Sequence, residues 1–349
     1  MRIEELVEQA HKDGASDIHL ICGLPPKYRV AGALRSMREE PLTDPDCDEL
    51  AHQLAGDSYG ALLDVGELDA AANIAGVRVR ENLFRQQGHS SIALRLLSEQ
   101  IPELSALGLP PKVADLADLP RGIVIVTGET GSGKSTTLAA MIDRINHSRT
   151  EHVITLEDPI EYIYTPDRSI FNQREIGRDT RSYAAGLRAA LREDPDILLI
   201  GEMRDLETIE TALTAAETGH LVLTTLHTGC AADSVDRIVD VFPEGRQQQI
   251  RMQLSQTLRA VLSQQLLPTR DGRGRVAACE LMLANAAVRN LIREGKTPQI
   301  DNVIATSAED GAVTMDNAVL RLYKAGKITA ETALQAARNP EQLRRSLPY

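Results

Sequence analysis

A glycine-rich run that ends in lysine and serine is the segment whose residue types most directly suggest chemistry. The run GETGSGKS begins at Gly128 and fits the pattern G-x-x-x-x-G-K-[ST]. It follows an apolar stretch, Ile123 to Thr127, that predicts a buried strand, and it precedes a helical pattern from Thr136 to Ile145. A strand, a glycine loop and a helix in this order predict a phosphate-binding loop, and an ordinary glycine turn is the alternative.

Each residue type in this loop suits the phosphates of a nucleotide. Glycines let backbone N–H groups point inward at phosphate oxygens, Lys134 can reach the β and γ phosphates, and the hydroxyl of Ser135 can ligate Mg²⁺. The sequence therefore predicts ATP and Mg²⁺ as cofactors. The predicted binding residues are Gly128, Glu129, Thr130, Gly131, Ser132, Gly133, Lys134, Ser135 and Thr136.

Polar residues follow three further apolar stretches that predict strands. The stretches are 152–156, 197–200 and 221–226. They lead into Glu157 and Glu161, into Glu202, and into His227, respectively. In open α/β sheets, ligands bind beyond the carboxyl ends of the strands, so we expect these side chains to surround the same nucleotide as the glycine loop.

Each of these side chains has a predicted role and a structural alternative. Glu202 is expected to organise Mg²⁺, although the usual strand-end Asp is replaced by Gly201; the alternative is a carboxylate that caps the next helix. Glu157 and Glu161 compete for the role of positioning the attacking water. His227 can sense the γ-phosphate, with a purely structural histidine as the alternative.

Arginines of the N-terminal region are candidates for phosphate contacts, because a planar guanidinium suits phosphate charge at a subunit or domain boundary. They are Arg78, Arg80, Arg85 and Arg95. If one of them reached a phosphate loop, ATP hydrolysis would depend on assembly. The alternative is that each arginine faces solvent on a strand.

The length of 349 residues favours two domains. Residues 1–97 predict a small α+β domain. Residues 98–120 predict a linker because prolines crowd there, and residues 121–349 predict a domain with a mainly parallel sheet. Helical patterns dominate from Arg246 through a Gln- and Leu-rich stretch to Leu267. A C-terminal helical extension is expected from about residue 270, with helices near Ala286 to Glu294, Met315 to Ala325 and Thr329 to Ala337.

Composition narrows the classes of partner. The net charge of −12, with seven Tyr, three Phe and no Trp, argues against nucleic-acid binding, which favours a basic groove with stacking aromatics. Four scattered cysteines without a C-x-x-C pair argue against a disulfide framework and a thiolate zinc site, and fit a cytoplasmic protein. The charged N-terminus does not resemble a signal peptide, and no apolar run approaches the ~20 residues of a spanning helix, so peripheral membrane association is expected.

Several segments together resemble the PilT family of retraction ATPases, within the secretion-ATPase superfamily. The run ASDIHL with GLPP resembles the family's N-terminal signature, TLEDPIEY its aspartate box, GEMRD its Walker B segment, and TGH through LHT its histidine box. The segment from Ala287 to Glu294 is similar to the AIRNLIRE run of the retraction branch, with Val288 for the usual Ile. The stretch from Ser307 to Val313 departs from the common pattern.

The resemblance implies a fold and an activity for the whole chain. It implies a PAS-like α+β first domain, a RecA-like P-loop ATPase domain with a C-terminal helical extension, and a homohexameric ring with ATP between the domains. By the same resemblance, Glu161 is the water-activating carboxylate, and Arg80 and Arg95 sense phosphate.

The function implied is ATP hydrolysis that drives type IV pilus retraction and twitching motility by domain movement about the linker. The expected partners are an inner-membrane platform protein and, indirectly, pilin. Another P-loop secretion motor or a DNA-translocating motor is the alternative. A nucleotide-gated GTPase switch is disfavoured because the sequence lacks an N/T-K-x-D base-reading motif.

Overall fold

Two β-sheets divide the chain into two units in the computed structural model, which describes residues 2–30, 32–97 and 100–347. The first unit comprises Met1–Gln100 and Pro159–Ile163, and the second comprises Ile101–Asp158 and Tyr164–Tyr349. The α/β fold class predicted from the sequence is confirmed, with an antiparallel sheet in the first unit and a mainly parallel sheet in the second.

The first unit is an antiparallel sheet of six strands with three α-helices, in the order β3-β2-β1-β6-β5-β4. Its strands are β1 (Ala15–Leu20), β2 (Lys27–Val30), β3 (Ala33–Ser36), β4 (Glu67–Ile74), β5 (Val77–Gln86) and β6 (His89–Leu96). Its α-helices are α1 (Ile3–Lys12), α2 (Asp44–Ala55) and α3 (Tyr59–Val65).

Alternation along strand β5 separates the core of the first unit from its other sheet face. Val77, Val79 and Leu83 are buried in the core with apolar residues of α1 and α2. Glu81 has the same parity, so it also points to the core side and is only 2% exposed. Burial raises the pKa of Glu81 to about 7, although the charge of Arg78 opposes the shift.

The second unit contains a seven-stranded sheet in the order β13-β12-β7-β11-β10-β8-β9. Its strands are β7 (Gly122–Thr127), β8 (His152–Glu157), β9 (Ile170–Glu175), β10 (Ile197–Ile200), β11 (Leu221–Leu226), β12 (Leu258–Pro268) and β13 (Arg275–Leu283). Strands β12, β7, β11, β10, β8 and β9 are parallel, whereas β13 pairs antiparallel with β12. One strand, β11, lies between the glycine-loop strand β7 and the Glu202 strand β10, which is the RecA-like arrangement.

Helices cover this sheet, and a run of helices follows it. The α-helices of the second unit are α4 (Lys112–Ala117), α5 (Lys134–Ser148), α6 (Tyr183–Ala190), α7 (Leu206–Glu217), α8 (Ala231–Asp240), α9 (Glu244–Thr257), α10 (Ala286–Glu294), α11 (Ile300–Thr306), α12 (Met315–Lys324), α13 (Ala330–Ala336) and α14 (Pro340–Ser346). The Glu280 carboxylate, on β13 and 2% exposed, accepts a hydrogen bond from Arg338 at 3.2 Å. This partly buried contact ties the segment between α13 and α14 to the sheet.

The prediction of a continuous helix to Leu267 is wrong. Helix α9 ends at Thr257, and β12 continues from there, with Leu258, Val261 and Leu262 fully buried. A strand that is buried on both faces lacks the regular alternation of apolar and polar residues, so periodicity alone does not separate it from a buried helix. Because β13 occupies the next segment, the helical extension begins at Ala286 instead of about residue 270. The helices predicted within the extension are confirmed to within one residue, as α10, α12 and α13.

The region predicted as a linker is folded over most of its length. Ser98 and Glu99 lie outside the described residues, and residues 101–120 group with the second unit. Val113, Leu116 and Ala117 of α4 are buried, and Arg149 donates hydrogen bonds to the carbonyl of Ala117. The prolines flank short helices in a packed segment: Pro111 is the N-cap of α4, and Pro120 follows its end.

The short segment Pro159–Ile163 groups with the first unit although the sequence predicted one continuous second domain from residue 121. Arg78 donates from Nε and Nη2 to the carbonyl oxygen of Ile160, at 3.4 and 3.2 Å. This guanidinium contact fixes the segment against β5.

Among the described residues, no helix combines the length and apolar character that crossing a bilayer requires.

Replacing Glu81 with Gln should flatten the pH dependence of stability. The pKa of Glu81 is raised from 4.5 to about 7, so the folded state binds more protons than the unfolded state between these values, and stability falls as pH rises through this window. Glu81→Gln should therefore gain about 2 kcal/mol relative to the parent between pH 5 and pH 8. Urea unfolding at both pH values measures this difference, and a pH-independent difference would contradict the assignment.

Candidate active site

The backbone conformation of the glycine loop between β7 and α5 depends on its first residue, Gly128. Gly128 has φ +141°, a conformation that residues with a side chain rarely adopt. A Cβ at Gly128 would also meet the carbonyl oxygen of Gln264 on β12 and the hydroxyl of Ser132. The loop therefore turns tightly against the neighbouring strand, and its backbone is held close to where the phosphates of a nucleotide would lie.

The lysine of the loop is held inside it. Lys134 is 8% exposed, and its Nζ donates to the carbonyl oxygens of Gly128 at 2.7 Å and of Glu129 at 2.9 Å. The hydroxyl of Ser132 is buried and has no hydrogen-bond partner among the described residues. Ser135 is exposed at the first turn of α5. A buried ammonium and an unpartnered hydroxyl suit anionic oxygens.

Hydrogen bonds attach the loop after β11 to the end of β7. Thr127 Oγ1 donates to the carbonyl of Thr228 at 2.8 Å, and Thr228 N donates back to Thr127 Oγ1 at 2.9 Å. Because β7, β11, β10 and β8 are parallel and adjacent, their carboxyl ends share one edge of the sheet. The structure thus brings the glycine loop, Glu157, Glu202 and His227 to that edge.

Glu202 lies between an arginine and a histidine. Its Oε1 is 2.6 Å from Arg204 Nε, and its Oε2 is 3.3 Å from His227 Nε2. The Glu202 side chain is 15% exposed, so the carboxylate is sheltered but reachable. His220, at the other end of β11, instead contacts the carbonyl oxygen of Ala215 through Nδ1 at 2.8 Å. Because His227 contacts Glu202, a shift of the His227 ring would change the surroundings of the Glu202 carboxylate directly.

The two candidate water-positioning glutamates lie in different surroundings. Glu157 ends β8, where Thr155 Oγ1 donates to its Oε1 at 2.6 Å and Gln173 Nε2 lies at 3.5 Å from the same oxygen. Glu161 lies four residues further on, within the segment that groups with the first unit. Glu157 is thus an oriented carboxylate, and Glu161 is on a connecting segment.

Tyr183 is a residue at this edge that the sequence analysis did not single out. Its hydroxyl is the nearest atom to a Cβ built on Gly201, at 2.9 Å. Burial first, and then the negative charges of Glu202, Asp158 and Glu157, raise the pKa of Tyr183, so the phenol stays protonated. No motif signalled Tyr183, because it begins a helix far from every strand end in sequence.

The two arginines proposed as phosphate sensors lie in the first unit. Arg80 on β5 is the direct cross-strand partner of Arg95 on β6. Arg95 Nε also contacts Asp17 Oδ1 at 3.0 Å. Burial alone would raise the pKa of Asp17, but hydrogen bonds from Ser16 and Arg95 outweigh that effect and lower this pKa. The Asp17 carboxylate therefore balances the charge of Arg95 within the first unit.

The residues present fit a nucleoside triphosphate and a divalent cation. The tight backbone at Gly128 and the buried hydroxyl of Ser132 suit phosphate oxygens. A serine hydroxyl and a carboxylate are oxygen donors of the kind that Mg²⁺ prefers, and Ser135 and Glu202 supply them. The fold and this site define a P-loop protein with a RecA-like sheet.

Comparisons with known proteins identify the family. The family model described as Type II/IV secretion system protein matches residues 1–337, and the chain belongs to this family. It is 45% identical to the type IV pilus retraction ATPase PilT of Pseudomonas aeruginosa, over 98% of this chain and 99% of that protein. It is also 45% identical to a twitching motility protein of Neisseria gonorrhoeae, over 91% of this chain and 86% of that protein.

A solved structure of the pilus retraction motor PilT with bound ADP matches the fold with a TM-score of 0.92 and 47% identity. The match covers 99% of both chains. The resemblance to the PilT family within the secretion-ATPase superfamily is therefore confirmed. The roles of the individual site residues stay predictions.

Gly201→Ala should destabilise the protein by about 1–3 kcal/mol, because its new methyl group would overpack against the Tyr183 hydroxyl. The cost should be smaller in a Tyr183→Phe background, which lacks that hydroxyl. Denaturant unfolding of the two single variants, the double variant and the parent measures the coupling. Gly229→Ala is the matched control, since a Cβ there has no atom within 4 Å. Equal costs in both backgrounds would refute the contact.

Proposed function

We propose that this chain is the ATP-hydrolysing motor that powers type IV pilus retraction, and hence pilus disassembly and twitching motility. The observation that carries the proposal is the match over the full length of a retraction ATPase, in sequence and in fold. The chain is an ATPase of the type II/IV secretion system family. The ADP in the matching PilT structure supports nucleotide binding at the glycine loop.

The proposed chemistry is transfer of the γ-phosphoryl group of ATP to water. Backbone N–H groups of residues 128–136 and the ammonium of Lys134 would hold the phosphates, which the tight backbone at Gly128 and the buried Ser132 hydroxyl, unpartnered among the described residues, support. In such a site, positioning and electrostatic stabilisation supply most of the rate, because charge spreads over the phosphoryl oxygens.

Ser135 and Glu202 are the residues that would hold Mg²⁺. When bound there, this cation neutralises phosphate charge. Glu202 would also report on the nucleotide, because its carboxylate contacts His227, the proposed sensor of the γ-phosphate. The hydrogen bonds between Thr127 and Thr228 link the chain after His227 to the glycine-loop strand.

The family resemblance implies that Glu161 is the water-positioning residue, and we adopt that assignment, with Glu157 as the alternative. The Oε1 of Glu157 already accepts a hydrogen bond from Thr155. A carboxylate held in this way suits an electrostatic role more than proton acceptance, since a general base must meet the water itself. Arg80 and Arg95 would meet phosphate charge, as the family resemblance implies, since a planar guanidinium suits phosphate oxygens.

The proposed working form is a homohexamer at the cytoplasmic face of the inner membrane. Its proposed partners are a membrane platform protein and, through that protein, pilin. A ring would let arginines of the first unit serve a neighbouring phosphate site, so that hydrolysis requires assembly. The similarity to a pilus retraction ATPase and to a twitching motility protein supports a role in a pilus machine.

Lys134→Ala should remove ATP hydrolysis and abolish twitching in a deletion strain of the source organism, because the ammonium that meets the phosphates is lost. Phosphate release and colony spreading measure the two effects. Lys324→Ala, which removes an exposed lysine on α12, is the matched control and should behave as the parent. Twitching restored by Lys134→Ala would overturn the motor proposal, and normal phosphate release would overturn the site.

Replacing each of the three glutamates in turn with glutamine, which keeps the shape but removes the charge, should separate their roles. Glu161→Gln should lower turnover by about 10²–10⁴-fold with nucleotide affinity kept, because a general base is removed. Glu202→Gln should also keep nucleotide binding and lose turnover, whereas Glu157→Gln should have the smallest effect. Steady-state phosphate release and nucleotide binding measure these outcomes. A larger loss in Glu157→Gln than in Glu161→Gln would reverse the assignment.

A further inference from the structure

Three side chains of the first unit place a thiol, a carboxylate and an imidazole together, away from the glycine loop in sequence. They are Cys22, Asp44 and His89, and one potential ligand atom from each lies within 4.8 Å of the other two. The His89 Nδ1 is 2.6 Å from the Asp44 Oδ1. None of these residues has a role in the proposed ATP hydrolysis.

Backbone contacts fix the position of Cys22 beside the start of α2. Cys22 lies in the turn after β1, where Gly23 N donates to the Leu42 carbonyl at 2.8 Å and Leu42 N donates to the Leu24 carbonyl at 3.0 Å. These two bonds hold the turn against the segment that precedes α2. Asp44, the first residue of α2, follows directly after the Thr43 cap.

A tight hairpin fixes the position of His89. Gln87 and Gly88 both have positive φ, at 53° and 86°, and connect the paired residues Gln86 and His89. This is the geometry of a type I′ turn, which sets the register of a hairpin. The next residue, Ser90, donates to Asp48 Oδ1 at 2.6 Å, one helical turn beyond Asp44. The histidine is therefore anchored against the same face of α2 as Asp44.

We propose that Cys22, Asp44 and His89 form a Zn²⁺ site, with solvent as the fourth ligand. Thiolate and imidazole donors select a borderline cation such as Zn²⁺ over Mg²⁺. Tetrahedral zinc with bonds of about 2.0–2.3 Å needs donor atoms about 3.3–3.6 Å apart. Small rotations of partly exposed side chains bring the three atoms to that spacing. Binding releases the thiol proton of Cys22 to solvent and replaces the contact between Asp44 and His89.

The other cysteines differ from Cys22 in a way that provides a selective readout. Cys47, Cys230 and Cys279 are buried, whereas Cys22 is partly exposed. Burial raises the pKa of Cys47 and of Cys279 to about 12, and that of Cys230 to about 11, so these thiols react slowly. Alkylation of the folded protein should therefore mark Cys22 first.

The test is alkylation of the chelator-treated full-length protein, with mass spectrometry to locate the modified cysteine. Zn²⁺ at one equivalent should slow Cys22 alkylation by about tenfold or more, because a metal-bound thiolate is no longer free to attack, and Mg²⁺ should not. Asp44→Asn and His89→Gln should each lose this protection. His11→Gln, which removes an exposed imidazole of the same unit, should keep it.

A second measurement keeps the proposal falsifiable if a variant is unstable. Co²⁺ added to the parent should produce thiolate-to-metal charge-transfer absorption, and Cys22→Ser should lack that absorption while keeping the circular dichroism of the parent. Unchanged alkylation of Cys22 in Zn²⁺, or protection that survives both Asp44→Asn and His89→Gln, would overturn the site. Cobalt binding without charge-transfer absorption would overturn the thiolate ligand.

Discussion

The parallel register of four strands is the constraint on which the rest of the candidate site depends. Strands β8, β10, β11 and β7 run side by side in one direction, so every polar residue that follows one of them emerges at the same edge. Burial of both sheet faces makes these strands mostly apolar, with buried threonines as the exceptions, and the charged side chains of the site lie where the strands end. Chemistry is therefore concentrated at the strand ends by the same burial that stabilises the fold.

This constraint explains what the sequence could predict. Four apolar stretches, each followed by polar residues, predicted that the glycine loop, Glu157, Glu202 and His227 share one edge, as they do. The contact between Glu202 and His227 is a direct consequence of adjacent parallel strands.

The parts that the sequence did not predict arise from packing between distant segments. Strand β12 looked helical because both of its faces are buried, and its Gln264 carbonyl, against which Gly128 turns, was missed with it. Tyr183 reaches Gly201 from the start of a helix, so no local pattern announces it. The proposed zinc ligands come from three separate segments, a turn, a helix start and a hairpin end, with spacings that match no linear metal motif.

The grouping of Pro159–Ile163 with the first unit means that the chain passes between the units three times. A fragment that stopped at Gln100 would leave the Arg78 guanidinium without the Ile160 carbonyl that receives it. The first unit is thus discontinuous in sequence, because part of it is inserted within the second unit. A chimaera that exchanges the first unit between relatives must therefore also exchange the segment Pro159–Ile163.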